Sequence, residues 1–169
     1  MKILFIGPQG SGKSTQGKLL AQFLGLPYIS TGDIFRSMQG EIKQILEQGR
    51  LVDDQTTSKI VEEELKNPKY QNGFIFDGYP RTLEQIRLFD PVFDKVVYLN
   101  LSDDESKKRL LARGREDDTD ESIAERLKNY HQQTDPILDY YRQKGIFQSI
   151  DGMGSIDEIQ FRIRDMVNG

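Results

Sequence analysis

Nine residues near the start of the chain, Gly7-Pro8-Gln9-Gly10-Ser11-Gly12-Lys13-Ser14-Thr15, have the types and spacing that hold a chain of phosphates. They satisfy G-x-x-x-x-G-K-[ST]. Glycines at these spacings let successive backbone N–H groups converge on phosphate oxygens, and the start of a helix favours the negative charge. Lys13 adds a full positive charge near the terminal phosphates, and Ser14 offers a hydroxyl to magnesium. A glycine-rich turn with no ligand is the bland alternative. The apolar run Ile3-Leu4-Phe5-Ile6 before the motif and the helical pattern after it weigh against that alternative.

Other candidates are arginines in short motifs far apart in the chain. They are Thr31-Gly32-Asp33 with Arg36, Asp77-Gly78-Tyr79-Pro80-Arg81-Thr82, and Arg113-Gly114-Arg115-Glu116-Asp117-Asp118 followed by Arg126. A planar guanidinium matches phosphate oxygens better than the point charge of lysine.

These groups need elements that bring them together. Apolar runs at Ile3–Ile6, Phe74–Phe76 and Val96–Leu99 read as buried strands, with shorter ones at Tyr28–Ser30 and Ile146–Ile150. Helical patterns separate them. Leu19, Leu20, Phe23 and Leu24 predict a buried stripe on the first helix, and Thr31 is expected to cap the second. A polar helix is expected around Glu41 to Gln48, and another starts at Asp53-Asp54 and buries Ile60, Val61 and Leu65. Thr82 with Gln85, Ser102 with Glu105 and Ser155 with Glu158 fit helix-opening capping boxes. From Thr119 to Lys144 the pattern is helical with an expected interruption at Asp135-Pro136. Alternating strands and helices predict an α/β three-layer sandwich, with a parallel five-stranded sheet and helices on both faces. Ligands of such sheets bind beyond the carboxyl ends of the strands, so the loop, Ser30–Arg36, Asp77–Arg81 and Asp151–Ser155 should share one rim.

The totals agree with one domain of 169 residues, 36% hydrophobic and 30% charged. With 23 basic and 27 acidic residues the net charge is −4, the wrong sign for non-specific nucleic-acid binding. There is no cysteine, which excludes disulfides and thiolate metal sites. No apolar run approaches a membrane span, and the first strand leaves no room for a secretory segment. The expectation is a cytoplasmic monomer with no nucleic-acid or membrane partner.

Taken jointly and in order, the four motifs resemble the adenylate kinases of the nucleoside monophosphate kinase family. The resemblance implies reversible transfer of the terminal phosphoryl group of ATP to AMP, giving ADP, with magnesium. It also implies one domain over residues 1–169, containing an AMP-binding region at 31–53 and a short lid at 113–118. On the matching positions Gly10, Ser11, Gly12, Lys13, Ser14 and Thr15 hold the ATP phosphates, with Arg109, Arg113 and Gly154 on the ATP side. Thr31, Arg36, Arg50, Leu51, Val52, Gly78, Tyr79, Pro80, Arg81 and Gln85 surround AMP. Arg115 and Arg126 grip the transferring and AMP phosphates. Lys13, Arg81, Arg113, Arg115 and Arg126 form the catalytic set, and Ser14 and Asp77 face magnesium directly or through water.

Some positions carry a second reading from the residues alone. Gln85 also completes a capping box with Thr82, Asp77 also reads as an ordinary strand-end aspartate, and Arg109 follows Lys107 and Lys108 as part of a solvated basic face. Asp117-Asp118 either orients the lid arginines or starts the next helix. His131, the only histidine, is expected to pack. Gly114 is expected to act as a pivot.

The chain departs from the family pattern in three places. Lys13-Ser14-Thr15 replaces the usual K-G-T, the segment from Arg36 to Gly49 is shorter, and one residue separates Arg113 from Arg115. That lid has neither length nor cysteines for a structural zinc. The competing functions are a UMP or CMP acceptor, a small-metabolite kinase, and a nucleotide-binding module without catalysis.

Overall fold

The computed structural model describes residues 1–40, 42, 52–114 and 118–169. The expected helix around Glu41 to Gln48 lies outside the described residues, as do the assignments to Arg50, Leu51 and Arg115. Five strands, β1 (Lys2–Ile6), β2 (Tyr28–Ser30), β3 (Phe74–Asp77), β4 (Lys95–Asn100) and β5 (Phe147–Asp151), form an all-parallel sheet in the order β2-β3-β1-β4-β5. Among the described residues the α-helices include α1 (Lys13–Leu24), α2 (Thr31–Ser37), α3 (Asp54–Leu65), α4 (Leu83–Leu88), α5 (Asp103–Arg113), α6 (Asp120–Gln143) and α7 (Ile156–Asn168).

The central strands β1, β3 and β4 are largely apolar because both faces of the sheet are covered there, whereas the edge strand β5 exposes Gln148 and Ser149. Leu4, Ile6, Phe74, Phe76 and Val96 pack with Val61, Ile86, Ile137, Leu138 and Tyr141 from α3, α4 and α6. Their alternating neighbours Ile3, Phe5, Ile75 and Val97 pack with Leu20, Ala21, Ile159, Ile163 and Val167 from α1 and α7. The α/β sandwich expected from the sequence is therefore what forms. Leu110, Ile123 and Leu127 make a separate small core between α5 and α6.

Register places the chemistry on one rim. Asp77 pairs with Phe5 on one side and Ser30 on the other, so the ends of β1, β2 and β3 lie in one row. The chain leaves β1 toward β2 on one side of the sheet, and later reaches β4 on the other side. The crevice at that reversal, outside the carboxyl ends, is where open α/β sheets bind ligands.

Three local expectations are corrected. The buried face of α1 is Gln16, Gly17, Leu20 and Ala21, and Phe23 is 48% exposed with the Arg164 guanidinium 4.2 Å from its ring centre. Gln16 is buried on that face, where its amide donates to the Ile156 carbonyl at 3.0 Å. Ser30, rather than Thr31, caps α2 by accepting from the Asp33 N–H at 3.0 Å. Finally, α6 runs unbroken through Pro136. An internal proline costs about 3 kcal/mol. Ile137, Leu138 and Tyr141, at most 4% exposed, each return about 1.5–3 kcal/mol by burial, and this outweighs the proline.

Candidate active site

The loop after β1 ends at Gly12, which occupies the N-cap of α1 at φ 91°, ψ 9°, with no side-chain cap. A residue with a Cβ is strained in that left-handed conformation, although nothing lies within 4 Å of where its Cβ would stand. The first N–H groups of α1 are left for an anion. Lys13 folds back over the loop and donates to the Pro8 carbonyl at 2.9 Å. Burial lowers its pKa from the ordinary lysine value. Asp77 opposes that shift and Arg81 adds to it. A phosphate beside the ammonium would supply the counter-charge that this desolvation lacks.

A cleft of about 660 Å³ opens over the loop. Gly10, Gly12, Lys13, Ser14, Thr15, Arg36, Asp77, Gly78, Arg81, Arg109, Arg113 and Arg126 all line it. Six cationic side chains from five separate parts of the fold thus face one cavity, with Asp77 as its only acidic lining residue among the described residues. Gln9, Ser30 and Gly32 line it too, although no role was assigned to them from sequence. A smaller cavity of about 210 Å³ adjoins it, walled by Pro80, Arg81, Arg126, Tyr130, Gln133 and Thr134 among others.

The arginines are held in place by neighbours. Arg113 donates to Asp118 through Nε at 2.9 Å and a terminal nitrogen at 2.8 Å, and Arg126 reaches the same carboxylate at 3.2 Å. The Asp118 side chain is fully buried, and Arg113 holds its carboxyl below the usual range. Of the two readings left open for the aspartate pair, orientation of the arginines is the one Asp118 fulfils, while Thr119 caps α6. Arg126 also donates to Gln9 at 3.1 Å. Arg81 donates to the Gly78 carbonyl at 2.9 Å, and Arg36 pairs with Asp33 one turn away. Arg109 bridges Glu105 and the Gly152 carbonyl, each at 3.0 Å, which ties α5 to the loop holding Gly154.

Asp77 sits 6% exposed at the floor of the cleft. Its Oδ2 accepts from the Ser14 hydroxyl at 2.6 Å and the Tyr28 phenol at 3.0 Å. Burial, then the Asp77 charge, push the Tyr28 phenol above its ordinary value of 10.0, so it stays a donor. No sequence signal marks Tyr28, which reads as an ordinary strand aromatic.

Other assigned residues lie away from the cavity. Ser11 is fully buried under the loop, and Thr31, 3% exposed, donates to the Asp77 carbonyl at 3.4 Å. Tyr79 is fully buried, with its hydroxyl within 2.7 to 3.1 Å of Ser58, Gln85 and Phe89 oxygens. Gln85 accepts from the Arg81 N–H at 2.7 Å and donates to Asp54 at 2.8 Å, so its amide braces the arginine loop from behind. Val52 is half-buried beside α3 and Gly154 lies on the loop after β5, neither lining the cleft. Gly114 is the C-cap of α5 at φ 67°. His131 does not pack: it is 44% exposed and bridges Asp103 and Asp135, with 2.9 Å contacts to each.

Among the described residues no group of three or more His, Asp or Glu side chains is placed to hold a metal ion, and no helix is long and apolar enough to cross a membrane.

A parallel sheet, a phosphate loop after its first strand and a cation-lined cleft at the strand-order reversal define the class, a phosphate-loop phosphotransferase. The family model for adenylate kinase matches residues 5–146. The chain is 41% identical to the adenylate kinase of Bifidobacterium longum, over 96% of this chain and 97% of that protein. It is 40% identical to that of Mycolicibacterium paratuberculosis, over 94% of each, and 39% identical to that of Mycobacterium tuberculosis, again over 94% of each. The chain belongs to the adenylate kinase family. The comparisons give no support to a UMP or CMP acceptor or to a non-catalytic module.

Proposed function

We propose that the cleft transfers the terminal phosphoryl group of magnesium ATP to AMP, reversibly, with the residues in the roles set out from the sequence. Family membership supplies the reaction. The convergence of Lys13, Arg36, Arg81, Arg109, Arg113 and Arg126 on one cavity is the observation that carries the assignment of residues.

The AMP phosphate, with a second pKa near 6, is already an oxyanion nucleophile at neutral pH and needs no protein base. The chain's task is in-line positioning and neutralisation of charge spreading over the transferred group. Gly10 to Thr15 cradle the ATP phosphates. Arg109, Arg113 and Gly154 lie on the ATP side, with Arg36, Arg81 and Gly78 on the AMP side. Thr31, Val52, Tyr79, Pro80 and Gln85 support that side from behind. Arg126, beside the loop at Gln9, stands between the two. Arg50, Leu51 and Arg115 complete the set. Residues 31–53 and 113–118 cover the two nucleotides within a single domain and keep out water, the competing nucleophile.

The donor set suits magnesium, a hard cation that takes oxygen ligands. The Ser14 hydroxyl donates its hydrogen bond to Asp77, which leaves the serine oxygen's lone pairs for a cation, and Asp77 Oδ1 has no hydrogen-bond partner among the described residues. Bound there with ATP, the metal would neutralise charge on the transferring phosphates while keeping several waters. One chain supplies every group named, so a monomer in the cytoplasm suffices.

The test is ADP formation from ATP with AMP, UMP, CMP and GMP in turn. AMP should exceed the others in kcat/KM by at least about tenfold, and Arg81→Ala should lower the AMP rate by about a hundredfold. Equal use of the four acceptors, or an unaffected Arg81→Ala, overturns the assignment.

A further inference from the structure

One oxygen of Asp77 is shared by two donors from different elements. Ser14, in the first turn of α1, reaches Oδ2 at 2.6 Å, and Tyr28, at the start of β2, reaches the same atom at 3.0 Å. The Tyr28 ring gets there by lying against α1. A Cβ at Gly17 would stand 2.9 Å from Tyr28 Cε2, inside contact distance with a rigid ring, and Lys18 Nζ lies 5.5 Å from the ring centre. Gly17, buried on α1, is therefore the slot that lets the phenol run along the helix to the cleft floor.

We propose that Tyr28, seated by Gly17, is a positioning residue for the metal side of the transfer: its phenol fixes the Asp77 carboxylate so that Oδ1 remains the oxygen available to the cation. This rests on the reading of Ser14 and Asp77 as the residues that hold magnesium. The terminal torsion of an aspartate is broad, so a single donor leaves the carboxylate free to turn. Ser14 alone is a poor anchor because its oxygen has a second task at the cation. Tyr28 has no such task, and an outer group that orients a metal-holding carboxylate influences metal affinity without touching the metal.

The decisive variant is Tyr28→Phe, which removes one oxygen and keeps the ring. ATP affinity is measured by calorimetry on the full chain, with excess magnesium and again with the metal chelated. The ratio of the two affinities should fall about tenfold in Tyr28→Phe, while metal-free ATP affinity and melting temperature stay near wild type. Gly17→Ala, which displaces the ring, should reproduce the loss, and the double variant should lose no more than either single one. An unchanged ratio in Tyr28→Phe overturns the proposal. So does an equal loss of ATP affinity with and without metal, which marks a structural role. A wild-type chain whose ATP affinity ignores magnesium removes the reading of Ser14 and Asp77 as well, so the two failures are told apart.

Discussion

Arg113 grips Asp118 through two parallel hydrogen bonds, and the same carboxylate takes a third from Arg126. Arg113 ends α5 and Arg126 lies in α6, so one buried carboxylate sets the spacing of two guanidinium groups that line the cleft. Asp118→Ala leaves both cations without that partner. Displacement of a positioning group by about 1 Å can cost around a hundredfold in rate. The expected outcome in steady-state kinetics is a fall in kcat of that order. Asp118→Asn, which retains shape but not charge, should lose less. Wild-type kcat in Asp118→Ala removes this carboxylate from the site.

Lys13 is a conflict between stability and activity. Its ammonium is desolvated beside the Pro8 carbonyl, and burial lowers its pKa, which means the folded chain disfavours the charge it carries. Lys13→Met keeps the length and removes the charge. Phosphoryl transfer should fall by about a hundredfold to a thousandfold, as when a donor to developing charge is lost. The melting temperature at pH 7 should be equal to or above that of the wild type. Loss of activity together with a lower melting temperature contradicts this account.

What the sequence made legible depends on how local the cause was. The strands could be read because burial on both faces forces continuous apolar runs, and Asp77 stood out as a charge closing one of them. The loop could be read because its chemistry lies within nine consecutive residues. Phe23 misled because a helical period does not say where the buried stripe is centred: the small Gly17 and Ala21, which do not stand out as apolar, lie on the buried face, while Phe23 falls at its edge beside Arg164, far away in the chain. Tyr28 was missed as a site residue for the same reason, and the role of Asp118 stayed open between two readings. Tyr28 meets Asp77 only through strand register, and Asp118 meets Arg126 only once α6 has formed. Pro136 was read as a break because the cost of the proline is local, whereas the packing of Ile137 and Tyr141 that outweighs it comes from the sheet.

His131 supplies a pH dependence far from the cleft. Hydrogen bonds that its ring donates to the Asp103 and Asp135 carboxylates raise its pKa above the ordinary 6.5. A histidine whose folded pKa is raised contributes stability that is fully present below the unfolded value and is lost as pH rises through the folded one. Thermal melts of wild type and His131→Gln should therefore differ most near pH 6 and converge above the folded pKa, with the wild type the more stable on the acid side. The exposure of the pair keeps the difference small and salt-sensitive. A difference that grows with pH would contradict the bridge to Asp103 and Asp135.

Gly78 shows how little room its wall of the cleft leaves. It has φ 94°, and a Cβ there would collide with the Thr31 hydroxyl and stand 3.2 Å from an Arg81 guanidinium nitrogen. Gly78→Ala combines two penalties. The left-handed conformation costs a residue with a Cβ about 1–2 kcal/mol, and the collision is with Thr31, itself held between β2 and the Asp77 carbonyl. Arg81 is the softer neighbour, so the guanidinium gives way and its bond to the Gly78 carbonyl is disturbed. The expected result is a modest loss of stability with a selective kinetic defect. KM for AMP should rise about tenfold while KM for ATP changes by less than about twofold, because the phosphate loop on the other wall is untouched. Equal rises in both constants would mean that the strain spreads through the sheet rather than stopping at Arg81.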